Sequence, residues 1–131
     1  MKRVWIIDDD DLYVFICKKM LNKLGLENDM IECFPNGKAG LDTIKNRDDK
    51  NMLPSLILLD INMPIMNGWD FLDEIDPYLK KMPEDLTITI LSSSVEPFDK
   101  AKALSYSEIN DYISKPVHIE DLKRFLFVNQ A

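Results

Sequence analysis

The chain has 131 residues, 46% hydrophobic and 30% charged, which is the composition of one folded domain and excludes a disordered chain. Its net charge of −7 works against direct binding to nucleic-acid phosphates or to an anionic membrane surface. The same charge suggests a cation site or a basic partner.

The hydrophobic pattern changes period along the chain. Val4-Trp5-Ile6-Ile7 is a continuous apolar run, the mark of a strand buried on both faces, as in parallel sheets. Over residues 12–24 the period turns helical, with Leu12, Ile16, Met20 and Leu24 recurring every four residues, and Gly25 supplies the stop. Residues 30–34 form a second strand. Asn36 fits the N-cap of a helix carrying Ala39, Leu41 and Ile44, which the polar run 46–51 ends. Leu56-Ile57-Leu58-Leu59 is a third strand, apolar throughout. Met63-Pro64 breaks the chain into a loop, and a helix follows near Gly68 with Leu72, Ile75 and Leu79 along one face, closed by Pro83. Residues 86–91 form a fourth strand. Pro97 fits the first turn of a fourth helix with Ala101 and Leu104. Residues 109–114 form a weaker fifth strand. Glu120 and Asp121 sit in the first turn of a last helix, where carboxylates favour the dipole, and Ile119, Leu122, Phe125 and Leu126 are its buried face.

Five strand–helix units in succession imply an α/β domain with a mainly parallel sheet and right-handed crossovers. Cys17 and Cys33 stand in apolar stretches without metal-ligand spacing, and both read as buried free thiols. A signal peptide is not visible, and no apolar run approaches the ~20 residues of a membrane span. The expected location is the cytoplasm.

In a doubly wound sheet, ligands bind outside the carboxyl ends of the strands. Asp8, Asp9, Asp10 and Asp11 follow the first strand, and Asp60 follows the third. Ser92, Ser93 and Ser94 follow the fourth, and Lys115-Pro116 the fifth. Singly, each is an ordinary cap, loop or surface feature. Jointly they are the parts of a phosphoryl-transfer site. Converging carboxylates repel one another, and a hard cation such as Mg2+ relieves that repulsion. A further carboxylate can attack phosphorus, while an ammonium and a hydroxyl neutralise the transferring oxygens.

From Val4 to Phe127 the sequence resembles the receiver domains of two-component response regulators. The resemblance rests on Ile6-Ile7-Asp8-Asp9-Asp10, on Leu58-Leu59-Asp60-Ile61-Asn62-Met63-Pro64 with Met66-Asn67-Gly68, and on Asp111-Tyr112-Ile113-Ser114-Lys115-Pro116. It implies a five-stranded parallel sheet with helices on both faces, a (βα)5 doubly wound fold of flavodoxin-like order 2-1-3-4-5. It implies that Asp60 is the phosphoacceptor, served by the phosphohistidine of a histidine kinase or a histidine phosphotransfer protein. By the same resemblance Asp8, Asp9, Asp60 and the backbone carbonyl of Asn62 hold Mg2+. Ser92 is the switch hydroxyl, Lys115 contacts the phosphoryl group, Pro116 follows it across a bond that is often cis, and Tyr112 is the aromatic that moves inward on activation. Asn62 and Ser94 stand where the family tunes hydrolysis, and neither supplies an added base, so slow to moderate turnover is expected.

The chain departs from the family pattern at four places: Ser for the commoner Thr at position 92, a long segment 76–85, a fourth acid at Asp11 that caps the first helix, and no glycine in 105–108. The expectation is a single receiver domain over residues 1–131 with no output domain. It is a phosphoacceptor signalling protein that catalyses its own phosphorylation and dephosphorylation, and it acts on a downstream protein partner or a relay, with no nucleic acid and no membrane. His118 is expected to be structural or exposed. A phosphorylation-independent scaffold would lack the site residues that are present here. An aspartate-nucleophile phosphatase of the haloacid-dehalogenase type needs a general acid where this chain has Asn62. A flavin mononucleotide carrier of the same topology would not place four acids in its phosphate loop. With Asp8, Asp9, Asp10, Asp11 and Asp60 set aside the net charge falls to −2, so the excess is concentrated at two strand ends.

Overall fold

The computed structural model describes residues 2–93 and 97–127. Among them, five strands alternate with five helices: β1 (Val4–Ile7), α1 (Asp11–Lys23), β2 (Ile31–Phe34), α2 (Gly37–Asn46), β3 (Leu56–Leu59), α3 (Gly68–Ile75), β4 (Thr87–Ser92), α4 (Pro97–Leu104), β5 (Ile109–Ser114) and α5 (Ile119–Phe127). All strand pairs are parallel, in the order β2-β1-β3-β4-β5. The expected doubly wound order is therefore the observed one.

The apolar runs explain the layering. Successive strand side chains point to opposite faces, so every residue of β1 and β3 is buried. Trp5, Ile7, Ile57 and Leu59 pack with Leu41 and Ile44 of α2, Phe71, Leu72 and Ile75 of α3, and Ala103 of α4. Val4, Ile6, Leu56 and Leu58 pack with Tyr13, Cys17 and Leu21 of α1 and Leu122, Phe125 and Leu126 of α5. Ile119, expected on that face, is only half-buried.

The four-residue recurrence in α1 marks the helix but not the stripe it buries. Leu12 and Ile16 are exposed, and the buried stripe is Tyr13, Cys17 and Leu21, one residue further round. Both stripes repeat at the helical period, and Met20 and Leu24 of the first lie partly buried against the same core. The N-cap at Asp10 corrects the role expected of Asp11: the Asp10 side chain accepts the Tyr13 N–H at 3.1 Å, while Asp11 lies in the first turn.

Cys17 is buried as expected, but Cys33 is exposed. It lies on β2, an edge strand of which only Ile31 is fully buried. Burial pushes the Cys17 thiol up to about 12. The native protein should thus take up a thiol-reactive label at Cys33 and a second, at Cys17, only in denaturant. Peptide mapping after labelling checks this, and native labelling of Cys17 would contradict the packing.

The long segment before β4 continues α3 as a 3-10 helix (Asp76–Lys81). Past the glycine-free segment 105–108, the β4–β5 register shifts inside β5. Ile88 pairs with Ile109 but Thr89 with Asp111, and the skipped Asn110 accepts the Ile88 N–H through its side chain at 2.9 Å.

Candidate functional site

The sheet register brings the site together. Ile7 pairs with Leu59, so Asp8 and Asp60 leave neighbouring strands at one level. The Asp60 N–H donates to the Ile7 carbonyl at 2.9 Å, and the Asp8 N–H to the Phe34 carbonyl at 3.0 Å. Ser92 pairs with Ser114, and the Lys115 N–H donates to the Ser92 carbonyl at 2.8 Å. Lys115 then reaches across the sheet, placing Nζ 2.8 Å from Asp8 Oδ2 and 3.6 Å from Asp60 Oδ1. The remaining oxygen of Asp8, Oδ1, accepts the Asp10 N–H at 2.9 Å.

Asp8 and Asp60 are buried and Asp9 is exposed, and one carboxylate oxygen from each lies within 4.8 Å of the others. Burial, and next the charge of Asp8, push the Asp60 carboxyl up to about 6, against the opposing pull of Lys115 and the Ile61 N–H. Burial works against the Lys115 charge, but the hydrogen bond to Asp8 and the charge of Asp60 outweigh it and hold the ammonium above its ordinary range. The donor set is hard oxygen, crowded and short of positive charge, which fits Mg2+.

The loop after Asp60 is held close to the strand. The Gly68 N–H donates to the Ile61 carbonyl at 2.8 Å, and a Cβ at Gly68 would meet the Asp60 carbonyl oxygen at 2.5 Å. Within that loop Ile65 adopts φ 68, and the Met66 N–H donates to the Pro64 carbonyl at 2.7 Å, closing a three-residue turn. A β-branched side chain is strained there. Because Ile65 is exposed, Ile65→Gly loses little packing and should raise unfolding stability by about 0.5–1 kcal/mol. Urea denaturation checks this, and a loss of stability would contradict the strain.

The remaining expected residues are placed as follows. Ser92 ends β4 and is fully buried. Tyr112 lies on β5, buried in the core that includes Ala103 of α4. Asn62 is exposed in the loop two residues after Asp60. The Lys115–Pro116 bond is cis. His118 is exposed, and its backbone N–H donates to Asp121 at 3.2 Å. Ser94 lies outside the described residues. The sequence did not single out Tyr13, whose ring lies 4.2 Å from Lys115 Nζ. Its signal is an aromatic side chain one position off the four-residue recurrence. A surface hollow of about 760 Å³ lies at the opposite end of the sheet, where Arg3, Lys50, Glu84 and Asp85 line it with charges of both signs. No helix among the described residues is long and apolar enough to cross a membrane.

The family model for the response regulator receiver domain matches residues 4–127. The chain is 28% identical over 124 residues to a probable methanogenesis regulatory protein, FilR2, of Methanothrix harundinacea, covering 92% of this chain and 76% of that one. It is 34% identical over 113 residues to the sensor histidine kinase CheAY of Helicobacter pylori, covering 86% of this chain but 13% of the kinase. The crystal structure of a two-component response regulator from Cytophaga hutchinsonii superposes with a TM-score of 0.83 at 30% identity, over 95% of this chain and 92% of that one.

Proposed function

This chain belongs to the response regulator receiver domain family, and we propose that Asp60 is its phosphoacceptor, served by a histidine kinase or a histidine phosphotransfer protein. The observation that carries this reading is the convergence of Asp8, Asp9, Asp60 and Lys115 at one end of the sheet. Asp8, Asp9, Asp60 and the backbone carbonyl of Asn62 would hold Mg2+. When bound, the ion supplies positive charge to the carboxylates and to the transferring oxygens.

A carboxylate oxygen of Asp60 attacks the phosphorus of a phosphohistidine. The P–O bond forms as the P–N bond breaks, and the imidazole leaves with the electron pair and takes up a proton. Lys115 offers an ammonium, and Ser92 a hydroxyl, to the oxygens of the transferred group. The new group, with its extra negative charge, favours the state in which these two contacts are made. Ser92 moves toward it, Tyr112 fills the space Ser92 leaves, and the surface over residues 98–127 is read by a protein partner or a relay. The net charge of −7 favours a protein partner over nucleic acid. Residues 4–127 act as a receiver domain, in the cytoplasm, which catalyses its own phosphorylation and dephosphorylation.

Incubation with acetyl phosphate and Mg2+, followed by intact mass, tests the reading. Wild type should gain the mass of one phosphoryl group, and Asp60→Asn should gain none. No adduct on wild type, or an equal adduct on Asp60→Asn, would overturn the assignment.

A further inference from the structure

Tyr13 touches the lysine loop on both sides of Pro116. Its hydroxyl accepts the Val117 N–H at 2.9 Å, in a buried hydrogen bond. Its ring carries Lys115 Nζ 4.2 Å from the centroid. Tyr13 is itself 9% exposed and anchored in the α1–α5 core, so the ring is a fixed surface. The Lys115 side chain is 14% exposed, a setting in which attraction between an ammonium and a ring face is only weakly diluted by water.

We propose that Tyr13 is a positioning residue for phosphoryl recognition, a role that rests on the phosphoacceptor reading of Asp60. Among the described residues, the Lys115 ammonium contacts Asp8, Asp60 and the Tyr13 ring. The first two are carboxylates that Mg2+ and the phosphoryl group would draw on. The ring has no such competing claim. It is the contact that keeps Nζ over the site when the carboxylates turn to their ligands. The hydroxyl has a separate duty, fixing the Val117 end of the loop.

Calorimetric titration with Mg2+ alone, then with beryllofluoride at saturating Mg2+, separates this role from general packing. Tyr13→Leu should lower beryllofluoride affinity about tenfold while Mg2+ affinity stays within about twofold. Tyr13→Phe keeps the ring and loses the hydroxyl, and should stay within about threefold of wild type for beryllofluoride. Unchanged beryllofluoride affinity in Tyr13→Leu would overturn the proposal. So would a fall in Mg2+ affinity by the same factor, or a Tyr13→Phe variant as weak as Tyr13→Leu. Failure of the wild type to bind beryllofluoride would instead bring down the phosphoacceptor reading, and the proposal with it.

Discussion

Asp60→Asn is expected to make the metal-free protein more stable, by about 2–3 kcal/mol at about pH 7.5. Burial, and then the charge of Asp8, raise the folded-state carboxyl from 3.8 to about 6. Between those values the folded protein binds the proton more tightly than the unfolded chain. Stability is therefore lost as pH rises through this window, and the loss is complete above about 6. Asn has no charge to desolvate, so the gain should be full at about pH 7.5 and vanish toward about pH 4. With EDTA present, thermal denaturation should place the variant roughly 6–10 °C above wild type at the higher pH. Mg2+ should then narrow the gap, because it stabilises the site with three carboxylates more than the site with two. A variant less stable than wild type, or a gain independent of pH, would contradict the buried, crowded carboxylate.

Lys115→Ala should cost about 3 kcal/mol, the scale for removing one member of a buried ion pair. It leaves the Asp8 carboxylate, 4% exposed, without its partner at 2.8 Å. Because the folded-state ammonium is held above its ordinary range, its contribution is fully present at neutral pH, begins to fall at the ordinary lysine range and is gone once pH has risen through the raised value. Urea denaturation at about pH 7.5 should report the loss. Adding Asp8→Asn to Lys115→Ala should recover most of it, because the orphaned charge is then gone. A single variant within about 0.5 kcal/mol of wild type would mean that the pair is solvated in solution.

Much of this was legible in the chain because two signals reinforced each other. Val4–Ile7 and Leu56–Leu59 are apolar at every position, and the structure assigns both strands residue for residue. In a parallel sheet of level strands, the residues after those runs must share one edge, so Asp8 and Asp60 could be placed together. Orientation was harder to see. The α1 recurrence marks the helix, but the fully buried stripe runs one residue further round, which spacing alone does not decide. The bulge at Asn110 depends on one side chain replacing a backbone acceptor, which no periodicity announces. Cys33 was misjudged because an apolar strand at the edge of a sheet is covered on fewer sides than one at its centre. Tyr13 escaped for a related reason. Its value comes from a loop more than one hundred residues away, through the Val117 N–H at a separation of 104.

The order β2-β1-β3-β4-β5 also bears on how the chain folds. The strand that comes first in this stretch occupies an interior position and gains neighbours only as later segments arrive. Asp8 meets its lysine 107 residues downstream, so the ion pair at the centre of the site closes one of the longest loops in the domain. Contacts of such separation slow folding. Until β5 docks, Asp8 and Asp60 face each other without their cation. The last strand brings the ammonium that relieves part of that repulsion, and the raised Asp60 carboxyl is the part that remains.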